Sequence, residues 1–314
     1  MTDLRIVFMG TPDFAVASLK LILENNFKVV GVITAPDKPA GRGRKLNQSA
    51  VKEYALEHGL RVLQPTNLKD TSFIEDLKSL NANLQVVVAF RMLPKIVWEM
   101  PKFGTFNLHA SLLPEYRGAA PINWAIINGE KKTGVTTFFI DEKIDTGEII
   151  LQKETKIGKT ETAGELHDRL MILGGKLVVK TIKQIQENYI KTTRQPDIKE
   201  KEAPKLFKDN CKIDWNDSRK NINNKIRGLS PYPAAWTVLV NDNNEVEIKI
   251  YKARKLKESH KFKIGSVISS KKELKIAVKK GYIIIDELQL AGKRKMKTQD
   301  LLNGYKFTEN AKVL

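Results

Sequence analysis

The chain has one cysteine, Cys211, in 314 residues. An intramolecular disulfide is therefore excluded, and so is a zinc site built from cysteines. Long apolar runs are missing too; none approaches the roughly 20 residues that a membrane span needs. The opening stretch MTDLRIVFMG sets Asp3 and Arg5 beside a short apolar run, unlike a secretory leader. These absences predict a soluble, cytoplasmic protein. The first strand-to-helix turn, Gly10-Thr11-Pro12-Asp13-Phe14, lacks the second and third glycines of a dinucleotide fingerprint, and Asp13 puts negative charge where a pyrophosphate would sit. No GxxxxGK[ST] stretch occurs. Hydride transfer and nucleotide hydrolysis are unsupported. No His/Asp/Glu group has metal-ligand spacing, so no metal is expected.

Acidic residues are in short supply. Lys and Arg number 54 against 36 Asp and Glu, a net charge of +18. Such an excess attracts polyanions, either nucleic acid or an anionic membrane surface. It is uneven: residues 1–190 carry 25 basic and 21 acidic residues, and residues 191–314 carry 29 and 15. Lysine-rich composition alone would load both parts alike, so a polyanion-binding module is expected at the C-terminal end. Between them, KTTRQPDIKEKEAPK (191–205) is polar, carries two prolines and reads as a linker. The expected domains are 1–190, the linker 191–205, and 206–314.

The first domain alternates strand and helix. Apolar runs at 4–9, 28–34, 84–90, 105–110 and 135–140 read as buried strands, with 61–65 and 148–152 extended. Thr11-Pro12 is expected as N-cap and first helical residue, Ser72 and Glu75 as a capping box, and Thr162 and Glu165 as another. Continuous Val/Ile runs between helices predict a Rossmann-like α/β domain: a parallel sheet with helices on both faces. The second domain reads as five short strands at 236–240, 246–253, 265–270, 274–280 and 282–290, which suits a small, oligonucleotide-binding (OB-like) β-barrel. Its surface is basic at 252–263, 271–280 and 293–297.

Chemistry concentrates between residues 105 and 147. Asn107 and His109 lie two apart in a strand and leave the same face. Their place at a strand's carboxyl end is where open α/β sheets bind ligands. Asp145-Thr146-Gly147 is a turn between strands, and folding can bring Asp145 to His109. An Asn, a His and an Asp without a nucleophilic Ser or Cys suit acyl transfer without an enzyme-bound intermediate: amide and imidazolium donors stabilise an oxyanion beside a carboxylate. Each residue alone has a plainer reading as core histidine, strand-end cap or turn former. His58, His167 and His260 sit in helices or a basic loop and carry no such pattern.

The stretch FNLHASLLPEYRGAAPINWAIINGEKKTGVTTFFIDEKIDTGEII resembles the core of the 10-formyltetrahydrofolate-dependent formyltransferases, with Asn-x-His, Ser-Leu-Leu-Pro, Arg-Gly and Asp-Thr-Gly in order. MGTPDFAVASL, APDKPAGRGRKL, KIDW (212–215) and IRGLSPYPAAWT (226–237) are similar to those members whose acceptor is the methionine of initiator tRNA. The resemblance implies the formyltransferase fold and transfer of formyl from 10-formyltetrahydrofolate to the α-amino group of methionyl initiator tRNA. It implies Asn107, His109 and Asp145 as catalytic residues and Ser111, Leu112, Leu113 and Pro114 as folate contacts. Phe90 and Met92 would wall the pteridine pocket. Arg42, Arg44 and Lys45 would reach into the tRNA acceptor stem, and the barrel would hold the tRNA electrostatically. One stretch departs from the family's usual Ala-Tyr-Gly-x-Ile-Leu-Pro: residues 89–94, AFRMLP, are one residue shorter and lack the glycine. Pteridine recognition is then expected to rest on backbone groups. A small-molecule acceptor, a formate-releasing hydrolase and a noncatalytic RNA-binding protein remain as alternatives. The basic barrel and the loop at Arg42 disfavour the first two; the intact trio disfavours the third.

Overall fold

The computed structural model describes residues 2–40, 45–196 and 201–314. The chain divides into two compact units. The first comprises 1–118, 133–155 and 167–202; the second comprises 119–132, 156–166 and 203–314. Two short stretches that precede residue 190 thus group with the C-terminal unit, and residues 191–202 group with the first.

In chain order the first unit holds β1 (Arg5–Gly10), α1 (Asp13–Glu24), β2 (Lys28–Ile33), the ribbon strands β3 (Lys38–Ala40) and β4 (Lys45–Asn47), α2 (Ala50–Glu57), β5 (Val62–Leu63), α3 (Thr71–Ser79), β6 (Leu84–Val88), α4 (Lys95–Trp98) and β7 (Thr105–His109). After α5 (Pro121–Ile127), which belongs to the second unit, come β8 (Lys132–Phe139), β9 (Ile149–Lys156) and α6 (Ala163–Gln186). The sheet order is β5-β2-β1-β6-β7-β8-β9. Strands β5, β2, β1, β6 and β7 are parallel. β8 runs antiparallel to β7, a departure from an all-parallel sheet that its apolar run does not disclose. Strand order reverses between β1 and β6, the switch point beside which such sheets bind ligands.

Side chains on one face of the sheet, including Val7, Met9, Ile33 and Val87, pack with Phe73, Ile74 and Leu77 of α3 and Val97 of α4. α6 lies close on the other face, because a Cβ at Gly174 would stand 2.7 Å from Leu108 Cδ2. Alternation along β7 then sends Asn107 and His109 away from α6. The helix starts differ in how local they are. Thr162 and Glu165 form the expected box: the Thr162 N–H donates to Glu165 Oε2 at 2.8 Å, and the Glu165 N–H to Thr162 Oγ1 at 3.3 Å. α3 instead takes Asp70 as N-cap without a side-chain cap bond, so the Ser72–Glu75 box does not form. Pro12, not Thr11, is the N-cap of α1.

The second unit holds α5, a 3₁₀ turn (Asp209–Cys211), α7 (Arg219–Gly228), β10 (Ala235–Asn241), β11 (Asn244–Leu256), β12 (Val267–Ser269), β13 (Leu274–Val278), β14 (Gly281–Leu290), β15 (Met296–Lys297), α8 (Thr298–Leu302) and β16 (Lys312–Val313). The order β12-β13-β14-β11-β10-β16 is closed by a bridge between Ser266 and Lys312, so the antiparallel sheet curls into the expected barrel. Its core takes Trp215, Ile222 and Ile226 with the inward residues of β10–β14. Arg227 directs its guanidinium to the carbonyls of Gly158 and Glu161 and to Asn224 Oδ1, and is 9% exposed. Burial lowers its pKa, and the position serves packing within this unit.

Candidate active site

β7 ends at His109, which is 6% exposed. Its Nε2 lies 2.8 Å from the Tyr116 carbonyl, an acceptor only, so Nε2 carries the proton. Nδ1 faces Asp145 Oδ2 at 3.7 Å. The same carboxylate oxygen accepts the Gly118 N–H at 3.0 Å. The structure therefore brings His109 and Asp145 together, as the residue pattern predicted. Asn107, two residues before His109, is half-buried, and among the described residues no hydrogen bond engages its amide. The two histidine nitrogens thus point at protein groups, while the amide remains open to a ligand.

Backbone conformation supplies much of this geometry. Tyr116 at φ +63° and Asp145 at φ +57° occupy the left-handed region, which costs on the order of 1 kcal/mol or more for residues with side chains. Ala89, where the chain leaves β6, does the same at φ +47°. Gly147 is required by space: a Cβ there would meet the Phe139 carbonyl oxygen at 1.7 Å. Asp141 shapes the turn by accepting the Thr146 hydroxyl at 2.7 Å and the Lys143 N–H at 3.1 Å.

The expected folate loop is fastened to the sheet. Ser111 is fully buried and donates to the Glu115 carbonyl at 2.6 Å. Thr136 on β8 donates to the Ser111 carbonyl at 2.7 Å and accepts the Leu113 N–H at 3.2 Å. Gln152 on β9 donates to the Leu113 carbonyl at 2.7 Å. The peptide between Leu113 and Pro114 is cis. Leu113 is buried; Leu112 and Pro114 are half-buried. In the short loop after β6, Phe90 packs against the cluster around α3 and α4, and Met92 is 68% exposed. Arg91 holds this loop by donating to the carbonyls of Pro65 and Thr66. Thr136, Gln152 and the Tyr116 carbonyl carry no sequence signal, since they act from other strands or through backbone.

Arg42 and Arg44 lie outside the described residues. Lys45 opens β4, which pairs with β3 in a two-stranded ribbon. Among the described residues no group of three or more His, Cys, Asp or Glu is arranged to hold a metal ion, and no described helix is long and apolar enough to cross a membrane. The other histidines have structural partners: His58 stacks on Tyr54, and His260 sits at the carbonyls of Val278 and Gly281.

Residues 4–182 match the formyl transferase family model, and residues 205–306 match the formyl transferase C-terminal domain. Over all 314 residues the chain is 63% identical to a methionyl-tRNA formyltransferase of Flavobacterium johnsoniae, covering all of both chains. It is 52% identical to that of Bacteroides thetaiotaomicron over 317 aligned residues, covering 99% of this chain and 98% of the other. Among solved structures, a sugar 3-N-formyl transferase determined with dTDP and 5-N-formyl-THF superposes with a TM-score of 0.67 at 24% identity, covering 94% of this chain and all of the other. That likeness speaks to fold. With two domain models spanning most of its length and full-length relatives at these identities, the chain belongs to the formyl transferase family.

Proposed function

We propose that this protein transfers the formyl group of 10-formyltetrahydrofolate to the α-amino group of methionyl initiator tRNA in the cytoplasm. The observation that carries the reading is the buried His109, paired with a half-buried Asp145, beside an unengaged Asn107 amide. The names of the full-length relatives support the acceptor. Catalysis belongs to residues 1–190 and tRNA binding to 206–314, with 191–205 between them.

The methionyl amine attacks in its neutral form, which is well populated because an α-amino group titrates near pH 8. Its nitrogen bonds to the formyl carbon, the bond from that carbon to N10 of the folate breaks, and N10 takes up a proton. Asn107 donates to the oxygen as negative charge develops there. His109 adds a cationic field when protonated. Its ring is oriented by the Tyr116 carbonyl and Asp145, so direct donation to the oxyanion requires the ring to leave that carbonyl. Asp145 accepts the amine proton, directly or through water. Ser111 to Pro114, Phe90 and Met92 flank the folate. The anchored 111–114 loop and the exposed Met92 fit a donor that is held by backbone groups on one side and apolar contact on the other. Arg42, Arg44 and Lys45 meet the acceptor stem.

The test is turnover of His109→Ala on charged initiator tRNA. A loss of at least about 100-fold in folded protein is expected. Turnover near that of the unsubstituted protein in folded His109→Ala contradicts the assignment.

A further inference from the structure

We propose that Gln195 is a positioning residue that holds the Asp145 turn and the 116–118 loop in one geometry; this rests on the role given to Asp145 above. Gln195 lies in a polar stretch whose composition suggests a linker, yet it is 8% exposed. Thr193 delivers it there by pairing with Ile149 of β9, through reciprocal backbone bonds of 2.8 and 2.9 Å.

All the hydrogen-bonding capacity of the Gln195 amide is used. Nε2 donates to the Asp145 carbonyl at 2.9 Å and the Gly147 carbonyl at 2.8 Å. Oε1 accepts from Arg117 Nε at 3.2 Å and Nη2 at 2.6 Å. Carbonyls only accept and a guanidinium only donates, so the amide orientation is fixed by its neighbours. Only a carboxamide supplies two donors and two acceptor sites on one planar group.

The two ends of this bridge coincide with the two supports of the catalytic pair. On one side, the Asp145 carbonyl belongs to the left-handed residue whose carboxylate faces His109. On the other, Arg117 sits between Tyr116, whose carbonyl receives His109 Nε2, and Gly118, whose N–H binds Asp145 Oδ2. Two left-handed backbone positions persist only where surroundings over-determine them. Gln195 bonds the Asp145 carbonyl directly and links to the Tyr116 position through the side chain of the adjacent Arg117. Its loss leaves two carbonyls without this donor and frees the turn to shift. Errors near 1 Å in such placements cost about 100-fold in rate.

The test compares Gln195→Met and Gln195→Glu with the unsubstituted protein, and repeats Gln195→Met in an Asp145→Asn background. Gln195→Met keeps length and removes every hydrogen bond. Gln195→Glu keeps the Arg117 interaction and turns an acceptor toward both carbonyls; it also serves if the methionine variant does not fold. Expected for both variants is a kcat lower by about tenfold or more, KM for both substrates within about twofold, and an unfolding midpoint that falls with the lost buried hydrogen bonds but stays above the assay temperature. In the Asp145→Asn background, read by single turnover with enzyme in excess, the Gln195→Met loss shrinks to about twofold or less, because coupled residues are non-additive. Unaltered kcat in both single variants overturns the proposal. So does a loss accounted for by unfolded protein, or an equal loss in the Asp145→Asn background. If Asp145→Asn itself turns over like the unsubstituted protein, the site assignment fails instead, whatever Gln195 does.

Discussion

Charge is handled in opposite ways around His109 and on the barrel of the second unit. At the site the charged groups are few, shielded from solvent in large part, and fixed. Asp145 accepts a backbone N–H, faces a histidine that a carbonyl orients, and sits on a left-handed turn. On the barrel they are many and solvated. Arg254–Asp286, Lys208–Glu247 and Lys295–Glu287 are ion pairs of 3.0, 2.6 and 2.6 Å whose basic partners are 60%, 66% and 49% exposed. Such pairs contribute about 0–1 kcal/mol each. The basic excess remains, and it acts on partners by summed field rather than through any single pair. One region fails when one atom moves; the other degrades by increments.

Substitution at the site should break this contrast most sharply. Asn107→Ala, His109→Ala and Asp145→Ala are each expected to lower kcat by about 100-fold or more, with tRNA affinity within about twofold. A proportional loss of tRNA binding, measured by filter retention, would merge the two regions into one. Next in size is Gly147→Ala. Its Cβ meets a backbone oxygen, which cannot swing aside as a side chain does, so a loss of at least about 2 kcal/mol in denaturant unfolding is expected.

The barrel should answer more softly. Lys261 and Lys263 are exposed and flank Phe262, itself 54% exposed. Lys261→Gln and Lys263→Gln should each weaken tRNA binding a few-fold and reduce the slope of log K against log salt by about 1 for each phosphate that is no longer neutralised, leaving kcat at saturating tRNA unchanged. An unaltered slope in the double variant removes these lysines from the interface. The smallest effect expected is at Thr162→Ala, about 1 kcal/mol. The Glu165 carboxyl is held below its ordinary range first by the Thr162 N–H and then by its hydroxyl. A lowered folded pKa means this stabilisation is present above the unfolded pKa and lost as pH falls through the folded one. Thr162→Ala removes the hydroxyl's share, so the variant should lose less stability on acidification. An equal acid dependence would show that the hydroxyl does not stabilise the Glu165 carboxylate.

What the amino-acid sequence disclosed follows the range of the interactions. Continuous runs rich in Val and Ile marked β1, β2 and β6, and close-spaced short strands marked the barrel, because both patterns are local. The Thr162–Glu165 box was legible for the same reason. Its counterpart at Ser72 was not, since Asp70 takes the cap position and its carboxylate accepts from the Asn67 amide at 2.7 Å. Strand direction at β8 left no trace, because an apolar run reads alike either way. The site was half legible. Asn107 and His109 show their common face by spacing, and Asp145 shows its turn. The Tyr116 carbonyl is backbone and invisible in composition. Gln195 is hidden by neighbours that read as linker, and it reaches Asp145 across 50 residues. Cys211, the residue whose scarcity excluded disulfides, is buried in the barrel core, which pushes its thiol pKa up. Its alkylation in native protein should therefore be slow and should accelerate on unfolding.

The most direct measurement is a formylation assay with 10-formyltetrahydrofolate and four acceptors: methionyl initiator tRNA, free methionine, uncharged tRNA and an amino-sugar nucleotide. A formylated product is expected only from the methionyl-tRNA, with a rate that falls as salt rises. Formylation of the amino-sugar nucleotide or of free methionine at a comparable rate, or formate release without any acceptor, would contradict the proposed function.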